Sequence, residues 1–538
     1  MGSDWLRDAV LYEVYPQSFA DSDADGVGDL RGVIERLDHI ASLGVDTLWF
    51  NPCFASPFVD AGYDVSDYLR IAPRYGSNED MVELVAEAAQ RGIRVLLDLV
   101  AGHTSVEHPW FQRELHAEGP DAEGDRYVWC KELPARSWTD DTPGTPAWVP
   151  SPGPRQGWYL KNFYDEQPAL NFGWADARED EPWRDRVDDP GPRRNVAALK
   201  EIMAFWLERG VAGFRVDMAF SLVKDEADHG RAQALTAALL REIRDWLDTA
   251  HPDAVIVPEG TEPRTGGPPA FHADFFLVIH EAHASLFDNH YAGVLPFHAQ
   301  RPPFFDADGQ GDTRVFLDAW HAAKEVDQAR PVIMSTADHD FNRLCCGPRT
   351  AEQLGAALTF LLTWGSVPCI YYGDEIGMRY LPGMPPVEGS ICNPAYNRSG
   401  CRTPMQWGDG PNAGFSSADA DRLYLPVDSD PARPTVAAQE HDPRSTLNLV
   451  RQLVALRRAM PALGARAATR VLHDGFPFAY LRAESHLVVV NPRREPAALT
   501  LPEPPQAEPV FTSGVSVDGS TVSAAGFGYG IFALRGRG

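Results

Sequence analysis

Strand-length apolar runs alternate with helix-length amphipathic runs from Ala9 to about Tyr372, and no hairpin turn separates them. This alternation constrains the fold more than any other feature, because strands joined through helices must lie parallel in a sheet that the helices cover. The first strand, Ala9 to Pro16, ends at that proline as a strand entering a loop does. Leu30, Val33, Ile34, Leu37, Ile40 and Ala41 then recur at helical spacing and Gly44 closes the run, which predicts one helix over 30–43. The pattern continues with a strand over 45–50, a helix over 78–90, a strand over 95–100, a helix from about 196 to 209 and a strand over 211–218. A helix near 231–247 and strands over 254–258, near 275–279, over 332–335 and over 367–372 bring the strands to about eight, the number that closes a barrel. The chain therefore reads as α/β, a (β/α)8 TIM barrel.

Two stretches fall outside the alternation. Residues 104–195 are rich in loops and tryptophan (Trp110, Trp129, Trp138, Trp148, Trp158, Trp174, Trp183), and a loop of that length in a compact domain reads as an inserted subdomain whose tryptophans mostly form its core. After a helix over 445–458, residues 461–538 turn to short alternating segments between Pro and Gly turns, a small all-β domain. The barrel then comprises 1–103 and 196–460. A chain of 538 residues has room for these parts.

Composition narrows the function classes. A formal charge of −28 argues against nucleic acid and anionic membranes, both of which need a basic footprint, and favours a small neutral substrate. No apolar run approaches the roughly 18 residues of a membrane span. The N-terminus shows no basic segment followed by an apolar core, and the seven cysteines lack CxxC spacing, so reduced thiols and a cytoplasmic location are expected.

Residues at the C-terminal ends of parallel barrel strands converge on one face. There the chain places Asp98 and His103, then Arg215 and Asp217, then Glu259, then Asp338, His339 and Asp340. Arg215 and Asp217 share one face of Gly213-Phe214-Arg215-Val216-Asp217-Met218, so the guanidinium is expected to keep Asp217 ionised as a nucleophile. Glu259 follows the apolar Val255-Ile256-Val257-Pro258, where burial can raise its pKa and suit it to act as acid and then base. Two carboxyls with separated pKa values are what glycosidic cleavage needs. Near the N-terminus, Asp21, Asp23, Asp25 and Asp29 surround a Gly-Val-Gly turn and offer hard oxygen ligands to Ca²⁺, with the Val27 carbonyl as a fifth; Mg²⁺ is the alternative ion, and no organic cofactor is expected.

The motifs Asp98-Leu99-Val100-Ala101-Gly102-His103, Gly213-Phe214-Arg215-Val216-Asp217, Pro258-Glu259-Gly260 and Ala337-Asp338-His339-Asp340 resemble, in order, the four sequence regions of the α-amylase superfamily, glycoside hydrolase family 13. Gly62-Tyr63-Asp64, Gln167-Pro168-Ala169-Leu170-Asn171 and Tyr371-Tyr372-Gly373-Asp374-Glu375 extend the likeness over nearly the whole chain. It implies a domain B inserted after the third barrel strand, a C-terminal β-sandwich and a retaining double displacement. By that likeness Asp217 is the nucleophile, Glu259 the acid/base and Asp340 the stabiliser of the transition state. Asp98, His103, His339 and Arg215 would surround the glucosyl unit, with Tyr63 stacked on its ring and Asp338 beside it. The loop from Asp21 to Asp29 matches the Ca²⁺ loop of the oligo-1,6-glucosidase and trehalose synthase branches, and Arg402-Thr403-Pro404-Met405-Gln406-Trp407 resembles trehalose synthases and α-glucosidases. Asp64 and Arg398, with Arg402 as the fallback, match the pair that recognises the non-reducing sugar in exo-acting relatives. Three positions depart from the pattern: Asp338 and Gly102 each stand where the family has Asn, and Ala169 where it has Asp. The last two weaken any metal between the barrel and domain B.

The resemblance leads to an exo-acting α-glucosidase on short α-glucosides. The alternatives are a trehalose synthase that returns the glucosyl unit to the released glucose, and an inactive sugar-binding relative.

Overall fold

The computed structural model describes residues 2–119, 124–134, 147–226, 232–260, 269–277, 280–288, 302–393 and 396–535, with the side chains of Cys392 and Asn393 excepted. Among them, eight parallel strands form the central sheet: β1 (Leu11–Val14), β2 (Thr47–Phe50), β3 (Arg94–Val100), β4 (Gly213–Asp217), β5 (Val255–Pro258), β6 (Asp274–Phe276), β7 (Val332–Ser335) and β8 (Val367–Tyr371). Each pairs with its neighbour in chain order except across the β5/β6 seam, and β8 returns to β1. At that seam the His272 N–H donates to the Ile256 carbonyl at 3.0 Å, drawing the barrel nearly closed.

Strand alternation sorts the residues into two cores. Leu11, Trp49, Leu96, Val255, Val257, Phe275, Ile333 and Cys369 fill the barrel interior, whereas Val10, Tyr12, Leu48, Leu97, Phe214 and Val216 pack outward against the helices. Arg215 and Asp217 thus point inward, as does Asp98, two residues after Leu96. Tight contact fixes β4: a Cβ on Gly213, whose φ is +153°, would lie 2.1 Å from the Val255 carbonyl oxygen.

Helix boundaries differ from expectation at two places. The single helix expected over 30–43 is two, Leu30–Glu35 and Leu37–Ser42, interrupted at Arg36 (φ −105°, ψ 3°), whose guanidinium stacks 4.5 Å from the Trp407 ring. The helix expected from about 196 begins at Pro190 after Asp189, because proline is favoured in a first turn, where its missing N–H goes unused.

Between β3 and β4, strands Trp129–Cys130, Ala147–Pro150 and Trp158–Lys161 form a small antiparallel sheet. Trp129, Trp148 and Trp174 are buried there, while Trp138 lies outside the described residues. After the helix Thr446–Ala459, six antiparallel strands make one sheet rather than two separate ones. Its longest strand, Thr521–Leu534, contributes Val522 and Ala524 from one end and Phe532 from the other to a single core, so the sheet folds back on itself to enclose it. No described helix is long and apolar enough to cross a membrane.

Candidate active site

The strand ends deliver their charges to one place. Arg215 on β4 donates through Nη1 to Oδ1 of Asp98 on β3 and to Oδ1 of Asp217, each at 2.8 Å, and its Nη2 lies 3.1 Å from Oε1 of Glu259 after β5. The other Glu259 oxygen accepts the Met218 N–H at 2.7 Å, from a residue held at φ +42° just past the strand. One guanidinium is therefore divided among three acids. Burial pushes the Asp217 carboxyl well above the usual carboxylate range, Glu259 adds to the effect and Arg215 opposes it; burial likewise lifts Asp98 to about 6. This corrects the expectation that Arg215 alone would keep Asp217 ionised. The cluster holds three carboxyls to one guanidinium.

Asp340, past β7, has the opposite setting. Arg398 Nη1 and Arg402 Nη2 donate to its Oδ1 at 2.8 and 3.1 Å, and His339 Nε2 lies 3.4 Å from Oδ2. Burial alone would raise this carboxyl, but His339, Arg398 and Arg402 outweigh it and hold the group well below the usual carboxylate range. An anion fixed opposite the Asp217 and Glu259 pair can stabilise positive charge developing between them.

Exposure separates groups that can meet a ligand from groups that place them. The side chains of Asp217, Glu259 and Asp340 retain 7%, 13% and 18% of their surface, whereas those of Asp98, Arg215 and His339 retain none. Asp338 is likewise fully enclosed, His103 nearly so. Asp98, His103, Arg215, Asp338 and His339, expected around the glucosyl unit, are thus enclosed by their neighbours. Tyr63 is nearly enclosed as well: its ring stacks on that of His339 at 5.6 Å, and its hydroxyl lies 2.6 Å from His339 Nε2 and 3.1 Å from Asp98 Oδ2. Burial lowers both histidines to about 3. In His103, Nε2–H donates to the Tyr63 carbonyl at 3.1 Å and Nδ1 accepts from Asn162 at 3.0 Å.

Asp64 and Arg398, expected to recognise the terminal sugar together, do not contact each other. The Asp64 carboxylate accepts from Ser56 Oγ at 2.9 Å and from the N–H groups of Val59 and Asp60 at 2.8 and 3.0 Å, which closes its own loop. Arg398 instead meets Asp60, four residues earlier, at 2.7 Å, while Gln167 of the inserted region holds the second Asp60 oxygen at 3.0 Å. Arg402 does not substitute for it, since its Nε donates to the His339 carbonyl at 2.7 Å. Asp60 is thus a site residue that the sequence reading missed. Two others are Glu13 on β1, whose Oε1 accepts from His339 Nδ1–H at 2.7 Å and from Asn51 at 3.2 Å, and Asn51 itself. A charge in the middle of an apolar strand was the signal available for Glu13, the same signal that marks Arg215 and Asp217.

The missing side chain at Gly102 has a physical reason, because a Cβ there would lie 2.7 Å from Asn162 Nδ2. The Lys224 ammonium is buried beside it, 3.3 Å from Asn162 Oδ1.

In the acidic loop, carboxylate oxygens of Asp21, Asp23 and Asp29 lie within 4.8 Å of one another. Asp25 and Val27 are not part of that group: Asp25 Oδ1 accepts the Val27 N–H at 2.8 Å. Asp29 also caps the helix Leu30–Glu35 through the Gly32 N–H, and Asp21 accepts from Ser416. Burial, with repulsion from Asp25 and Asp21, raises the Asp23 carboxyl. Three crowded hard-oxygen donors fit a Ca²⁺-sized cation.

Comparison with known proteins accords with this geometry. Residues 13–465 match the family model described as alpha amylase, catalytic domain. The chain is 33% identical over 498 residues to the trehalose synthase/amylase TreS of Mycobacterium tuberculosis, covering 86% of this chain and 76% of that one. It is 32% identical over 548 residues to a probable alpha-glucosidase of Rhizobium meliloti, covering 93% and 91%. Among solved structures it resembles an inactive double mutant of MutB, the trehalulose synthase of Pseudomonas mesoacidophila, in complex with isomaltulose, with a TM-score of 0.81, 25% identity and coverage of 99% and 100%.

Proposed function

The chain belongs to the α-amylase family, glycoside hydrolase family 13, and from that premise we propose an exo-acting enzyme that cleaves short α-glucosides and transfers the glucosyl unit by retaining double displacement. One observation carries the reading: Asp217, Glu259 and Asp340 keep open surface where the Asp98, Arg215 and His339 side chains beside them keep none, and the first two share one guanidinium. Retaining chemistry needs its two carboxyls close together. Asp217 attacks the anomeric carbon while Glu259 gives its proton to the departing oxygen. Glu259 then takes a proton from the incoming hydroxyl as the glycosyl–Asp217 bond breaks. Asp340, held as an anion by Arg398 and Arg402, faces the oxocarbenium-like charge. The ion pairs from Arg398 to Asp340 and Asp60 close one end of the site, which supports recognition of a terminal sugar.

Whether water or the released sugar attacks the intermediate decides between α-glucosidase and trehalose synthase. The likeness to TreS favours the second as an alternative. Incubating the enzyme separately with maltose, sucrose, isomaltose and trehalose and identifying the products tests both. Free glucose as sole product makes it a hydrolase, trehalose formed from maltose makes it a transferase, and no turnover of any of the four rejects the proposal.

The acidic loop is proposed to hold structural Ca²⁺ through Asp21, Asp23 and Asp29, relieving the repulsion among them. Because a ligand bound only to the folded state stabilises it by about 2.7 kcal/mol at a hundred times its Kd, chelation by EGTA is expected to lower Tm by several degrees, and Ca²⁺ to restore it better than equal Mg²⁺. A Tm indifferent to EGTA would reject the site. A cytoplasmic location is proposed as well, supported by the buried free thiols of Cys53, Cys130, Cys369 and Cys401.

A further inference from the structure

Arg398 and a turn of the inserted region reach the same two groups from opposite sides. Arg398 Nη2 donates to Asp60 Oδ1 and to the Gly389 carbonyl, each at 2.7 Å. The Tyr164 hydroxyl donates to that same carbonyl at 2.6 Å and Gln167 Nε2 donates to Asp60 Oδ2 at 3.0 Å, while Gln167 Oε1 accepts the Tyr164 N–H at 2.8 Å. These bonds close a circuit through Asp60, Arg398, Gly389 and residues 164–167. Gly389 contributes a backbone carbonyl alone, so its aim depends on the conformation of its turn.

That conformation is uncommon. In Val387-Glu388-Gly389-Ser390 the Ser390 N–H donates to the Val387 carbonyl at 2.9 Å, and Glu388 and Gly389 stand at φ +41° and +66°. Positive φ at both central residues is the pattern of a type I′ turn, where glycine, asparagine and aspartate predominate because other side chains are strained there. Gly389 has a second reason to lack a side chain: a Cβ would lie 2.8 Å from the Val59 carbonyl oxygen, 3.0 Å from the Tyr164 ring and 3.1 Å from Asp60 Oδ1, inside the circuit. Glu388 has no such freedom and is held by charge. Arg74 donates to both its carboxylate oxygens, at 2.5 and 3.1 Å, and its guanidinium lies 3.2 Å from the centre of the Phe58 ring, two residues before Asp60. The turn also reaches Arg398 directly, since the Arg398 N–H donates to the Ser390 carbonyl at 2.8 Å.

We infer that this turn sets how much of a substrate the site admits: Gly389, with Glu388 and Tyr164, positions Arg398 across Asp60 and Asp340 and so fixes the wall that selects a terminal glucosyl unit, a role that rests on the exo-acting reading proposed above. Gly389, Glu388 and Tyr164 are positioning residues that act through Arg398. Without the Gly389 carbonyl, Nη2 keeps only Asp60 as acceptor, and a turn displaced by a side chain at 389 pushes on Asp60 and Tyr164 as well.

The test compares wild type with G389A, Y164F, E388A and E388G on maltose, maltotriose and maltoheptaose. G389A is expected to raise KM for maltose by about tenfold or more while kcat stays within about threefold, and to flatten the preference for maltose over maltoheptaose. Y164F removes one hydroxyl and leaves the backbone untouched, so it keeps the question decidable if G389A does not fold; it should shift KM in the same direction by a smaller factor, and an unchanged KM would overturn the part given to Tyr164. E388A keeps the strained φ and loses Arg74, whereas E388G needs no partner to hold a positive φ, so E388A should raise KM more than E388G; the reverse order would overturn the part given to Glu388. A double-mutant cycle separates positioning from general stability: because Gly389 acts through Arg398, adding G389A to R398A should lower kcat/KM by less than about a further twofold. Independent, multiplicative losses would overturn the positioning role. A crystal structure of G389A should show Arg398 withdrawn from Asp60, and an Arg398 still bridging Asp60 and Asp340 would overturn the inference outright. If wild type turns over no α-glucoside, the proposed function fails, and the G389A structure still decides whether the turn positions Arg398.

Discussion

Replacing Asp217 with asparagine is expected to lower kcat by a factor on the order of 10⁴ to 10⁶, the loss seen when a covalent nucleophile is removed, which is about 5 to 8 kcal/mol of transition-state stabilisation. The fold should survive. The amide oxygen can still accept the Arg215 hydrogen bond now made at 2.8 Å, and the substitution removes a buried carboxyl from a cluster that holds more carboxylates than cations. Circular dichroism and Tm within a few degrees of wild type would show that the loss is chemical. Azide added to D217A should restore turnover of an aryl α-glucoside as glycosyl azide of inverted configuration, because a small anion can fill the space the carboxylate leaves. Activity of D217N within tenfold of wild type would reject Asp217 as nucleophile.

The second large effect is expected at Arg398. Its Nη1 donates to Asp340 at 2.8 Å, and its Nη2 donates to Asp60 and to the Gly389 carbonyl, each at 2.7 Å. Alanine at this position leaves Asp60 with Gln167 and Asp340 with Arg402 and His339, in a setting where breaking a buried ion pair costs about 3 to 5 kcal/mol. Accordingly, kcat/KM on a disaccharide should fall by about 10² to 10³, most of it in KM if the wall chiefly binds a terminal sugar. The preference for disaccharide over longer oligosaccharide should flatten with it, since that wall no longer closes the site. Comparison with R402A separates the two arginines: Arg402 touches Asp340 and a backbone carbonyl but not Asp60. R402A should therefore lower kcat and leave the chain-length preference in place. An R398A enzyme with wild-type chain-length preference would reject the wall.

The carboxylates of the site were legible because strand physics exposes them. A charged residue in an apolar run of a parallel sheet has few places to go, and the C-terminal ends of such strands meet, so Asp98, Arg215, Asp217, Glu259 and Asp340 could be placed on one face from alternation alone. Asp60 could not. It shares a short loop with Asp64, and both are acids near Tyr63. Only the closed loop shows that the Asp64 carboxylate is consumed by Ser56 and two backbone N–H groups while Asp60 faces Arg398. The break at Arg36 was hidden for a related reason, since the Trp407 ring its guanidinium stacks on lies far along the chain.

What the sequence determined by itself is the barrel, the direction of its strands and the identity of the acids at their ends, because apolar periodicity and side-chain alternation are properties of neighbouring residues. What only the tertiary structure decided is how charge is shared. Arg215 serves three carboxylates instead of one, and Asp340 gains two arginines from a distant turn. Coulombic and desolvation energies depend on distance in space and on the water that packing excludes, and neither is written in the spacing of residues along a strand.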